Sequence, residues 1–194
     1  MNVIMHALLP LVFFLAQPFW ELKAPEQWSL EEIDRIRTNS PWAQLVGQAS
    51  PVTVFLATAL PVEHAEAELR LRFKKNRGAL AEPDPDYTDY LRENREENFV
   101  VGVAYPPLPG FGKPGEDKRM EEVTALVVGR REYKIMGYFP PTPSDPVLRL
   151  IFPRAVKPGD KQMLIRLYLP GLSFPDRDAV FVVKDLVYQG KVEM

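Results

Sequence analysis

The sequence predicts an α+β protein: an antiparallel sheet or β-sandwich with two or three covering helices, preceded by an N-terminal helical arm. Three observations lead there. From residue 123 onward, short β-branched apolar runs alternate with Pro- and Gly-rich turns, the pattern of antiparallel strands. Between residues 51 and 105, two strand-like runs flank two stretches with helix start and stop signals. All three tryptophans, Trp20, Trp28 and Trp42, fall in one early segment with a helix cap of its own.

Taken in order, the chain opens on MNVIMHALLPLVFFLAQ. The run Ala7–Ala16 is apolar, as long as the hydrophobic part of a signal peptide and too short to span a bilayer. Residues 1–16 are therefore expected to be a signal peptide cut after Ala16, which makes the protein exported, periplasmic or secreted. A buried N-terminal strand or helix is the alternative. The arm is expected over 17–49 and one α+β domain over 50–194.

In WSLEEIDRIRT (28–38), Ser29 is the expected N-cap. Glu32 completes a capping box, and Trp28 and Ile33 stand at the spacing of a hydrophobic staple. Leu30, Ile33 and Ile36 give a narrow apolar stripe, and Ser40-Pro41 is expected to start a second short helical turn. PVTVFLATAL (51–60) reads as a buried strand. PVEHAEAELRLRFKKNRG (61–78) fits a helix over 62–77, with Val62, Ala65, Leu69 and Phe73 on one face. Acidic residues lie early in it and basic ones late, as the helix dipole favours.

EPDPDYTDYLRENREEN (82–98) is an acidic turn leading into a helix over 86–96, with Tyr87, Tyr90 and Leu91 as its apolar side. FVVGVAY (99–105) is a strand, and PPLPGFGKPGEDK (106–118) a long loop. Residues 123–139 predict two strands joined near Gly129-Arg130. Further strands are expected at 147–152, 162–169 and 179–188.

Composition narrows the function classes. The chain has 194 residues, 46% hydrophobic and 26% charged, enough to bury roughly two thirds of its unfolded surface without a disulfide or metal. Its net charge of −2 argues against nucleic acid as the main partner, and losing residues 1–16 leaves that charge unchanged. Proline, at 20 residues, is about twice its average share of roughly 5%, which points to stiffened loops between strands. No cysteine is present, which removes disulfides, thiolate catalysis and cysteine-ligated zinc.

Several of these stretches together resemble a family of uncharacterised secreted bacterial proteins. The matching parts are the W-S-x-E-E-I and SPWA segment (28–43), ALPVEHAEAELR (59–70), NFVVGVAYPP (98–107), LIFPR (150–154) and KDLVYQGKVEM (184–194). The similarity covers residues 18–194. It implies export and a single-domain organisation, and it brings no activity, cofactor or catalytic residue.

The residues that carry chemistry are sparse. His6 lies in the leader. His64 sits beside Glu63 and Glu66, but these do not share one helical face, so a solvated helix start is expected rather than a metal site. Asp84, Asp86 and Asp89 are interrupted by prolines and lack the glycine of a calcium loop, and Asp86 as a helix cap explains them more simply. There is no phosphate-binding glycine loop, no G-x-S-x-G elbow and no H-E-x-x-H. A serine triad would have to use His64. No cofactor, metal or catalytic residue is nominated, although paired carboxylates of hydrolase type stay open.

Two places remain for binding. Trp20, Trp28 and Trp42 form either a stacking platform for sugars or a partner, or, as the favoured reading, the apolar contacts that fasten the arm. Tyr105 and Phe111 flank and occupy the 106–118 loop, longer than most connections. The expectation is a non-enzymatic binding or assembly module of the bacterial envelope or exterior, its partner another envelope or secreted protein. A carbohydrate-binding module and a carboxylate-based hydrolase are the alternatives.

Overall fold

The computed structural model describes residues 17–48, 50–75, 83–104 and 113–194. The expected signal peptide, Tyr105 and Phe111 lie outside them.

The first described elements are a single helical turn, α1 (Phe19–Leu22), and a 3-10 turn at Pro25–Gln27, then α2 (Leu30–Thr38). The capping box at α2 forms as its sequence dictates. Ser29 Oγ accepts from the Glu32 N–H at 3.1 Å, and the Glu32 carboxylate accepts from the Ser29 N–H at 2.8 Å. Trp28, Ile33 and Ile36 are buried, but Leu30 faces solvent, so the expected stripe is one residue shorter. Pro41 does not start a helix. Ser40 Oγ turns back to the Ile36 carbonyl at 2.7 Å, and the chain enters a strand, β1 (Ala43–Val46).

β1 pairs antiparallel with β2 (Val52–Leu56), so residues 43–46, within the segment expected as the arm, are a strand of a sheet. The turn between them uses Gly47 at φ +89, where an added Cβ would meet the buried Arg177 side chain.

α3 (Leu60–Lys75) follows, and then α4 (Pro85–Asn94), capped by Asp84 rather than Asp86. The Asp84 carboxylate accepts from the Asp86 N–H at 2.9 Å, while Pro85 takes the first helical position. After β3 (Asn98–Ala104) comes α5 (Pro114–Val123). The last residues of the predicted loop are thus helical. Pro114 presets the first turn, Glu116 and Asp117 suit its positive end, and Met120 gives it a buried anchor.

β4 (Ala125–Val128) and β5 (Arg131–Lys134) form the hairpin expected around Gly129. The same run supplies a third strand, β6 (Gly137–Phe139), followed by β7 (Val147–Pro153), β8 (Gln162–Tyr168) and β9 (Asp176–Val182). The strand predicted over 179–188 is broken by a 3-10 turn at Val183–Asp185. A small hairpin, β10 (Val187–Tyr188) with β11 (Lys191–Val192), ends the chain.

These elements make an α+β fold with entirely antiparallel sheets. Of the two larger sheets, one has the order β1-β2-β3-β7-β6 and the other β5-β4-β8-β9. They share one core: Val54, Leu56, Phe99, Val101, Leu148, Leu150 and Phe152 from the first meet Leu126, Val128, Met163, Ile165, Leu167 and Phe181 from the second. The sheets also approach at their margins. β5 runs through Ile135-Met136 into β6 and so passes from one sheet to the other. On the opposite side, the Gln44 amide of β1 donates to the Val180 carbonyl of β9 at 2.9 Å.

Among the described residues, no helix is long and apolar enough to cross a membrane.

Candidate functional site

The register of the five-stranded sheet creates a hollow on the face turned away from the second sheet. Phe55, Gly102 and Arg149 stand in one cross-strand row, with Thr53, Ala104 and Val147 in the next. Small residues at 57, 102 and 104 leave the floor low. At Gly102 the Phe55 ring lies so close that any Cβ would run into it. α3 supplies one wall with Val62, Glu63, Glu66 and Arg70, and α4 supplies another with Tyr87, Thr88 and Leu91. The segment Ser144–Val147 and the end of α2, at Arg37 and Thr38, complete the rim. The pocket so enclosed has a volume of about 530 Å³, inside the usual range of small-molecule sites.

Its charges are arranged in three groups. Arg149 donates to both oxygens of Asp145, at 2.7 and 3.3 Å, and its guanidinium lies 4.5 Å from the centre of the Tyr87 ring. Arg95 forks onto Glu63 with both contacts at 2.7 Å, and also donates to the Thr58 carbonyl at 3.1 Å. At the third, Arg37 Nε donates to Glu66 at 2.6 Å, and Arg70 stands 3.7 Å from the other Glu66 oxygen.

Tyr87 is buried under Arg149 and against Phe139. Burial pushes its phenol up to about 12, with the Arg149 charge pulling the other way. The Glu63 carboxylate raises Arg95 further above its ordinary value through their hydrogen bond.

The tryptophans are elsewhere. Trp28 and Trp42 are fully buried, their indole N–H groups donating to the carbonyls of Lys23 at 3.2 Å and Glu193 at 3.1 Å. Trp20 is half-buried and meets Trp42 edge-on at 5.6 Å. Phe19 bridges Trp20 and Trp28, and Trp42 continues onto Tyr188, so the three residues do come together in one aromatic chain. That chain joins the N-terminal segment to the terminal hairpin, where the Glu21 carboxylate accepts the Gln189 N–H at 3.0 Å. None of the three lines the pocket.

His64 is not a solvated helix start: it is half-buried, edge-on to Tyr188, with Nδ1 3.3 Å from the phenol oxygen. Asp84 caps a helix and Asp89 pairs with Arg92 at 2.9 Å. The described residues contain no group of three metal-ligating side chains.

Sequence reading did not nominate Arg37, Phe55, Arg70 or Arg149. The one available signal was Gly102, a glycine inside an otherwise apolar strand, which marks a close approach of another group. Compared with protein-family models, curated proteins and solved structures, the chain matches none of them.

Proposed function

We propose that this protein is an exported, non-enzymatic binding module of the bacterial envelope or exterior, and that its ligand is a small, largely apolar molecule held over the outer face of the five-stranded sheet. The pocket carries this reading: an apolar floor of Phe55, Ala57, Ala104 and Val147, ringed by a few polar groups, is the ordinary make-up of a ligand site. The three carboxylates among its described lining residues, Glu63, Glu66 and Asp145, are each engaged by an arginine. His64 does not line it. The apolar run before Gln17 supports export, and a second envelope or secreted protein would supply or receive the ligand.

The test is thermal unfolding of the mature protein with soluble alkyl and aryl ligands. A ligand at a hundred times its Kd stabilises the folded state by about 2.7 kcal/mol, which raises Tm. Ala104→Trp, at an exposed position on the pocket floor, should abolish that rise while leaving the unliganded Tm nearly unchanged. No rise with any apolar ligand, or an equal rise in the variant, would remove the pocket from consideration. A rise with saccharides alone would favour the carbohydrate-binding alternative. Recovery of the intact chain, leader included, from the cell exterior would count against a cleaved signal peptide.

A further inference from the structure

Arg37, Arg70 and Arg149, which line the pocket, and Arg95, which holds the lining Glu63, differ in what their N–H groups do. Arg149 is engaged on both terminal nitrogens and stacked on Tyr87. Arg95 is forked onto Glu63 and a backbone carbonyl. Arg37, in contrast, uses only Nε among the described residues, and its two terminal nitrogens make no hydrogen bond there. Among the described residues Arg70 makes none, and its only ionic neighbour there is Glu66 at 3.7 Å. Among the described residues, then, Arg37 and Arg70 share the one carboxylate of Glu66, an excess of one positive charge within this group of three. Their side chains are 33% and 26% exposed and border an apolar floor, so N–H donors with no partner among the described residues stand at the edge of the apolar surface. A planar fork of this kind is suited to an oxyanion, which it can hold through two parallel bonds.

We propose that the ligand is an amphiphile with a single oxyanion head, carboxylate or phosphate monoester, seated between Arg37 and Arg70 with its apolar body over Phe55 and Ala57. This rests on the binding reading above and adds the chemical class of ligand to it.

Three probes of equal chain length separate the two claims by calorimetric titration: sodium decanoate, decyl phosphate and decan-1-ol. The expected result is that at least one anion binds about tenfold or more tightly than the alcohol, and that its advantage shrinks as salt is added. The anion that binds tighter identifies the head. Arg70→Gln should lower the anion's affinity about tenfold and leave that of decan-1-ol unchanged, the alcohol serving as proof of an intact pocket. Arg166→Gln, on the other sheet, should change neither.

Equal binding of alcohol and anions by the native protein would overturn the anionic head and leave the binding reading standing. An Arg70→Gln variant with undiminished preference for the anion would overturn the placement at this rim. Binding of none of the three would overturn the anionic amphiphile, and the binding reading falls as well only if no alkyl or aryl ligand raises Tm.

Discussion

The two sheets lie face to face across the same core, yet they treat their outer faces differently. On the five-stranded sheet the outer face is roofed by α4 and walled by α3. Val100 and Ile151 there are buried with Tyr87 in a small core of their own. On the four-stranded sheet the outer face carries Glu132, Arg166, Asp178, Val180 and Val182, all accessible to solvent or half so. α5 meets that sheet only at one end, where Tyr168 donates to Glu116 at 2.7 Å and lies under Arg119. A face with a roof can hold both a second core and a pocket; the face without one leaves its charges and its valines to solvent. The difference is written in the strands. NFVVGVA in β3 is buried at six of its seven positions, whereas DRDAVFV in β9 alternates exposed and buried throughout.

This contrast is breakable by matched substitutions. The largest effect should come from Ile151→Ala, on the roofed face, which is expected to cost about 2–5 kcal/mol through lost burial and a residual cavity. Val180→Ala on the bare face should stay within about 0.5 kcal/mol. Urea denaturation measures both, and equal losses would mean that the roof does not bury what lies beneath it.

Ion pairs should divide the same way. Arg149→Ala strips Asp145 of its partner where both side chains are under a fifth exposed, and should cost about 3 kcal/mol. Arg166→Ala removes a contact to Glu132 in which both side chains are over 40% exposed, and should cost at most about 1 kcal/mol. If the two losses were alike, Arg149 would be as well solvated as Arg166.

The roof also predicts an alkaline transition. The folded-state phenol of Tyr87 is pushed from 10.0 to about 12, so folding favours its neutral form. Stability from this source is complete below pH 10 and is lost as pH rises through about 12, amounting to about 2–3 kcal/mol. Tyr87→Phe should flatten that part of the stability curve between pH 9 and 12. A curve with the same slope in the variant would place the alkaline sensitivity in other groups, such as Tyr90, Tyr138 and Tyr188, whose phenols burial also raises.

The smallest effect expected is spectroscopic. With Trp28 and Trp42 buried and Trp20 half-buried, tryptophan emission should be blue-shifted and weakly quenched by acrylamide. It should also be insensitive to ligand in the pocket, because no tryptophan lines it. A large ligand-induced change in emission would instead bring the N-terminal segment into the site.

What the sequence determined by itself were features whose causes lie within a turn or two of chain. The Ser29–Glu32 capping box, the β4–β5 hairpin at Gly129, the largely apolar run of β3 and the helices α3 and α4 all belong here. So does the α+β class, since it follows from counting such elements. Only the tertiary structure decided that β6 leaves its hairpin for the other sheet, that residues 43–46 join β2, and that the three tryptophans meet Tyr188 near the C-terminus.

The pocket belongs wholly to that second group. Its floor depends on the register that sets Phe55 across from Gly102 and Gly102 across from Arg149, and its charged rim joins Arg37 to Arg70 through Glu66. Periodicity and capping report a residue's own element and face. Which strand lies alongside, and in what register, is settled by burying all the apolar faces at once, and no local stretch of sequence carries that information.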